Sequence, residues 1–309
     1  MDDSETTLFG RKLSFPDAGA MKRFLHLVGI DETKERLAKL LGTLVNPEGV
    51  HEWAAKHHKD AKSILDFVER RPPLVILEGD VGTGKTELAE TVGAAVAKQE
   101  NITVVLFPLS LATRGSGRVG EMTKLLSAAF EETVLAAKKF KGEGSKSQGA
   151  VILLVDEADA LVQSRENNQM HHEDRAGVNA FIRGIDLLAQ QKLPAAVILC
   201  TNRLSAIDPA VQRRAAEVFT FTRPNEEQRL AVMEVPLSEV GFDDEQIKKI
   251  AKLTGPSTKQ KYGFTYSDLT QRLLPTLVMD AYPEKPVEFA RAVQIIKTIY
   301  PTPPFKQTD

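Results

Sequence analysis

Residues 79 to 86 read GDVGTGKT, a match to G-x-x-x-x-G-K-[ST], and no other eight residues of the chain restrict its fold as tightly. The pattern carries chemistry only when a strand delivers the loop and a helix leaves it. Both are present: PLVILEG at 73–79 is an apolar run of strand length, and KTELAETVGAAVAKQ at 85–99 has helical spacing. Glycines let backbone N–H groups wrap phosphates, and the helix N-terminus adds a favourable dipole. Gly79, Asp80, Val81, Gly82, Thr83 and Gly84 would form the wrap. Lys85 would reach the β and γ phosphates, and the Thr86 hydroxyl would hold Mg²⁺.

Two more apolar runs of strand length follow, ITVVLFPL at 102–109 and VILLVDE at 151–157, then a fourth, AAVILCTN. Apolar on both faces, they read as central strands of a parallel sheet. Helical patterns separate them, at 120–140 and in AGVNAFIRGIDLLAQQ. The expectation is an α/β fold with helices on both faces of the sheet. After a fifth strand, EVFTF at 217–221, the alternation stops. Asn225 with Glu226 and Glu227 opens a helix, DDEQIKKIAKLTGP forms another, and YSDLTQRLLPTLVMDAY and PVEFARAVQIIKTIY complete a helical set. The expected division is a short arm over 1–20, an α/β domain over 21–224 and a small all-helical lid over 225–309. Upstream, the stretch 27–44 has helical spacing after Asp31, which is expected to cap that helix with Lys34 to Lys39 on its wet face, and a polar segment runs from there to a helix in AKSILDFVER.

VILLVDEAD ends a hydrophobic strand in adjacent acids. Asp156 would ligate the Mg²⁺ shell, and Glu157 would polarise an attacking water as general base. A helix cap is the bland alternative, and the phosphate loop upstream argues against it. Asn202, in TNR at the end of the fourth strand, would help position water. In IDPAVQRR, Arg213 and Arg214 are always charged and fork-shaped, suited to stabilising transferred-phosphoryl charge.

With 40 basic and 42 acidic residues the net charge is −2, which gives no positive field for nucleic acid. The one cysteine, Cys200, lies in an apolar run, so a disulfide framework is excluded and a buried thiol in a reducing, cytoplasmic setting is expected. The acidic start MDDSETTLFG does not resemble a signal peptide, and no apolar run is long enough to suggest a membrane partner. HEWAAKHH at 51–58 lacks H-E-x-x-H, and His171, His172, Glu173 and Asp174 read as a solvated loop.

These blocks, in this order, resemble the AAA+ ATPases: GDVGTGKT is similar to Walker A, VILLVDEAD to Walker B, TNR to sensor 1, and IDPAVQRR to the region that delivers arginine fingers to a neighbouring subunit. VGIDETKERL resembles the segment bordering the adenine pocket, which places Val28, Gly29 and Ile30 near the base. The resemblance spans about residues 25–300 and implies a P-loop NTPase fold, with an AAA+ large domain followed by a small helical lid. It also implies a homohexamer with ATP and Mg²⁺ at subunit interfaces. GFTYSDL resembles the start of the lid helix, with Ser267 where many relatives have a sensor-2 arginine and Arg272 as the candidate replacement one turn on.

RGSGRVGE at 114–121 also spells G-x-G-x-x-G, but it does not read as a dinucleotide fingerprint. The six residues LSLATR separate the strand-like FP from Gly115, whereas the fingerprint turns at once, and no acid ends a following strand about 20 residues on. In the AAA+ resemblance the segment takes the place of pore loop 1, facing the channel with Arg114, and with Arg118 and Val119 where threading relatives carry an aromatic. The second pore loop would fall in 164–177.

DEADALVQSR, GVNAFIRGIDLLAQ, TNRLSAID and LLPTLVMDAY are similar to the HORMA-remodelling branch, the pachytene checkpoint ATPases, and the short arm resembles bacterial members of CBASS antiphage operons. That likeness implies a HORMA-domain protein client and, through it, a CD-NTase-type nucleotidyltransferase that makes cyclic oligonucleotide messengers. An AAA+ unfoldase or assembly factor with another client, a nucleotide-switched scaffold, and a clamp-loader-type nucleic-acid motor remain open. A catalytic base at Glu157 argues against the scaffold.

Overall fold

The computed structural model describes residues 8–58, 61–109, 121–142, 146–160, 172–258 and 260–305. These fall into two compact units. The first takes the described residues of 1–25, 32–78 and 86–219; the second takes 26–31, 79–85 and those of 220–309. The loop segment 79–85 and the segment 26–31 thus group with the helical residues, a division that sequence patterns, which run along the chain, do not reveal.

The sheet has six strands in the order β1-β3-β4-β5-β2-β6. They are β1 (Leu13–Phe15), β2 (Leu74–Gly79), β3 (Thr103–Pro108), β4 (Gly149–Val155), β5 (Ala195–Thr201) and β6 (Glu217–Phe221). β3, β4, β5 and β2 pair in parallel. Every residue of β4 and β5 is buried, including Cys200, as expected for strands covered on both faces. Helices α5 (Lys85–Glu100), α6 (Glu121–Phe140) and α7 (His172–Gln190) connect them, and the Phe130 and Phe181 rings stack edge to face, centres 5.5 Å apart, where α6 and α7 pack.

Three expectations near the N-terminus need correction. The described part of the arm belongs to the sheet rather than standing apart from the α/β domain: β1 pairs antiparallel with β3, Leu13 opposite Leu106, and Phe15 is 1% exposed. Helix α1 (Ala18–Leu25) follows directly, and α2 (Asp31–Val45) comes next. Lys34 is not on the wet face; it is 6% exposed, its ammonium 5.4 Å from the Phe24 ring centre. The polar stretch after α2 is helical too, as α3 (Pro47–His57), with Pro47 in its first turn, and α4 (Lys62–Glu69) follows.

In the second unit, α9 (Glu226–Glu239) and α10 (Asp244–Leu253) start from reciprocal caps at Asn225 and Asp243; the short α8 (Pro209–Gln212) belongs to the first unit. The single helix expected over 266–282 is instead a π-helical turn, Asp268–Leu273, followed by α11 (Leu274–Ala281). Pro275 has no N–H to give the preceding turn, and Leu274 N–H reaches back five residues to the Leu269 carbonyl. Together with α12 (Phe289–Ile296), these elements close on a core that includes Met233, Leu237, Phe264, Leu273 and Ile295.

Candidate functional site

The candidate phosphate loop, 79–86, holds Gly79 and Gly82 at positive φ where a side chain would meet its neighbours. Gly82 has φ +73°, and a Cβ there would stand 2.7 Å from Thr265 Oγ1. Gly79 has φ +144°, and its Cβ would fall 2.0 Å from the Phe221 carbonyl oxygen. Lys85 is 6% exposed, and its Nζ donates to the carbonyls of Gly79 and Asp80, both at 2.8 Å. Thr83 Oγ1 donates to the Asp80 carbonyl at 2.7 Å. An ammonium held by two carbonyls in a loop of left-handed glycines fits the phosphates of a nucleotide, which would take over as the stronger, charged acceptors.

Residues of the helical C-terminal part, in the same unit, border this loop. Ser267, at the expected sensor-2 position, donates its backbone N–H to the Gly82 carbonyl at 3.1 Å, and its hydroxyl turns to Gln271. Arg272 binds Asp268 Oδ1 at 2.7 Å and the Tyr300 carbonyl at 3.0 Å. Among Val28, Gly29 and Ile30, the Gly29 carbonyl accepts from Gln228 Nε2 at 2.6 Å. The Tyr266 hydroxyl, which lacks a hydrogen-bond partner among the described residues, lies beside Gly29. Burial, aided by the Asp31 carboxylate, pushes it up to about 12, so it stays a neutral hydroxyl at physiological pH.

In the first unit, Thr86 Oγ1 donates to Asp156 Oδ2 at 2.8 Å. A hydroxyl and a carboxylate oxygen are the hard donors that Mg²⁺ takes, and they fit it. The other Asp156 oxygen accepts the Glu157 N–H at 2.8 Å, and Glu157 is exposed at φ +51°. A non-glycine residue held left-handed stores of order 1–3 kcal/mol and persists where its neighbours impose it. Asp159 supplies a clamp that sequence reading missed: its Oδ1 accepts from the Thr201 hydroxyl and from the Asn202 N–H at 3.2 Å. It ties the end of β5 to the acids after β4 and so sets where Asn202 begins. Burial raises the nearby Glu90 carboxyl above its ordinary range against the pull of Arg23, with Glu87 and Asp156 adding to the rise.

The two arginines after α8 differ sharply. Arg214 is spent within the chain, its Nε and NH2 donating to the two oxygens of Asp186 at 2.8 and 3.1 Å and its NH1 to the Ala210 carbonyl at 3.0 Å. The Asp186 hydrogen bonds raise its already high pKa. Arg213 ends α8 exposed, and among the described residues no carboxylate pairs with it. Arg114, Arg118 and Val119 lie outside the described residues, as does most of the second pore-loop segment. No helix among the described residues is long and apolar enough to cross a membrane.

Comparison with known proteins agrees with this geometry. Residues 75–223 match the model of the ATPase family associated with various cellular activities (AAA). CD-NTase-associated protein 6 of Escherichia coli strain MS 115-1 is 59% identical, the alignment covering 96% of each chain. The protein of that name from strain KTE188 is 36% identical over 97% of this chain and 98% of its own. Among solved structures, a chain of the E. coli MS115-1 HORMA:CdnC:Trip13 complex superposes with TM-score 0.90 at 58% identity, covering 97% of this chain and 98% of that one. Rhizobiales Trip13 gives TM-score 0.76 at 50% identity, over 96% and 100%. A family model matched over residues 75–223 and relatives that match along nearly the whole length lead to one assignment: the chain is an AAA ATPase and belongs to the CD-NTase-associated protein 6 family.

Proposed function

We propose that this ATPase works as a homohexamer in the bacterial cytoplasm and disassembles a HORMA-domain protein complex, thereby restraining a CD-NTase-type nucleotidyltransferase in antiphage defence. The observation that carries the client is the 97% coverage at 58% identity against a chain of a HORMA:CdnC:Trip13 complex. Likeness of that extent reaches loops and surfaces as well as the ATPase core.

The residues divide the chemistry. Backbone N–H groups of 79–84 and the Lys85 ammonium bind the β and γ phosphates of ATP. Mg²⁺, held by Thr86 and Asp156, would supply neutralisation of the phosphate oxygens. Glu157 accepts the proton of the attacking water as its oxygen approaches the γ phosphorus, and Asn202 orients that water. An arginine of a neighbouring copy stabilises the charge that develops on the transferred group. Val28, Gly29 and Ile30 border the base. Arg114, Arg118 and Val119 grip the client's terminal segment in the channel.

The test is affinity capture with Glu157→Gln loaded with ATP, which holds clients bound. Recovery of a HORMA-domain protein supports the reading. Recovery of a protease or a sliding clamp instead would replace it with a different AAA client.

A further inference from the structure

Position 80 is an aspartate in a loop that wraps phosphates, and a carboxylate there repels the ligand. Its surroundings resolve the conflict. Arg223, in the link between β6 and α9, places Nε 2.8 Å and NH2 2.7 Å from Asp80 Oδ2, and its NH1 donates to the Gly263 carbonyl at 2.9 Å. The two side chains are 15% and 19% exposed, so water and salt screen the pair weakly. Asp80 Oδ1 accepts the Val81 N–H at 2.9 Å and, from 225 residues away in sequence, the Phe305 N–H at 3.1 Å.

The segment that brings Phe305 to the loop is itself anchored. Thr302 gives its N–H to Asp268 Oδ2 at 3.0 Å and its hydroxyl to Oδ1 at 2.7 Å. Tyr300 accepts from Arg272, which also pairs with Asp268, a fully buried carboxylate. Burial pushes Asp268 up, but the donors from Thr265, Thr302 and Arg272 outweigh it and hold the group below the ordinary carboxylate range. Arg272 therefore latches the 300–305 segment.

We propose that Asp80 is a positioning residue of the phosphate loop, clasped by Arg223 and by the 300–305 segment, and that this clasp sets the affinity for nucleotide. Arg223 cancels the charge that would oppose the phosphates. The Phe305 N–H fixes the side-chain rotamer, so lifting the segment loosens the loop. The inference rests on residues 79–86 being the nucleotide loop, and the experiment separates the two ideas.

Binding of a fluorescent ATP analogue to the full chain is measured at equilibrium, with a melting curve for each variant. Arg223→Ala should weaken binding about tenfold or more, and adding Asp80→Asn should restore most of it, because the repelling charge is gone. Phe305→Pro deletes the N–H and should weaken binding about fivefold, while Phe305→Ala keeps the N–H and should stay within about twofold. Should Arg223→Ala not fold, the Phe305 pair and Arg223→Lys, which keeps charge without the fork, carry the comparison. Lys85→Ala that still binds would overturn the loop assignment. Lys85→Ala without binding, alongside Phe305→Pro at parental affinity or an Arg223→Ala defect that Asp80→Asn leaves unrelieved, would overturn the clasp alone.

Discussion

Replacing Arg213 and Arg214 singly with alanine should give two different phenotypes, because the structure gives the neighbours different work. Arg214 forks onto Asp186 and caps the Ala210 carbonyl. Its side chain is 33% exposed and that of Asp186 41%, so solvent screening keeps the fork near the value of a well-made surface pair, about 1 kcal/mol with its accompanying hydrogen bonds. For a protein of this size that corresponds to a drop in Tm of about 1.5 °C. Turnover should fall with it, since the fork holds the end of α8 on α7, and Arg214→Lys should recover part of the loss. Arg213 is exposed at the end of α8, so its removal should leave Tm and ATP affinity unchanged. If it stabilises the transferred phosphoryl group of a neighbouring copy, kcat should fall by about 10³ or more. Steady-state ATPase assays with a melting curve for each variant decide the matter. Arg213→Ala with parental kcat, or Arg214→Ala inactive at parental Tm, would refute the division of roles.

Glu157→Gln should bind ATP at parental affinity and lose more than nine-tenths of turnover; a binding assay beside a phosphate-release assay checks both. Asp159→Asn should cut kcat about tenfold with little change in KM, since it loosens the start of Asn202 rather than the phosphate loop. Asp268→Asn should cost on the order of 3 kcal/mol at neutral pH, read by denaturant melts, because buried donors lose a charged acceptor. The folded carboxyl of Asp268 titrates below its unfolded value. Its contribution is thus fully present above the ordinary carboxylate pKa and is lost as pH falls through the lower folded value, so the gap between parent and variant should close only in acid. Arg118→Ala should keep ATPase activity and lose client remodelling in a complex-dissociation assay.

The strands that form the centre of the sheet are legible, and with them the places of the candidate-site loops, for one reason: both faces of β4 and β5 are buried, so their apolar runs are unbroken, and the loop motifs sit at fixed offsets from them. β1 escaped because three residues between Lys12 and Pro16 offer no period to read. α3 escaped because only Ala54 among its residues is buried, leaving no apolar stripe. The π-helical turn before Pro275 reflects a hydrogen bond that proline cannot give, and a helical pattern alone does not show it. Asp80 was read as one more loop residue. Its partners Arg223 and Phe305 are remote in sequence, and only the folded chain brings them together. The arginine pair after α8 was readable as a pair, but which member is committed inside the chain depends on Asp186, 28 residues away.

The central claim, ATP turnover spent on a HORMA-domain protein, is tested most directly with purified components. This ATPase is mixed with the proposed HORMA-domain client bound to a CD-NTase-type nucleotidyltransferase, and release of the client and synthesis of cyclic oligonucleotide are followed together. The account expects ATP to trigger release and suppress synthesis with the parent chain, and neither to occur with Glu157→Gln. A complex that stays intact and active while the parent chain hydrolyses ATP would contradict it.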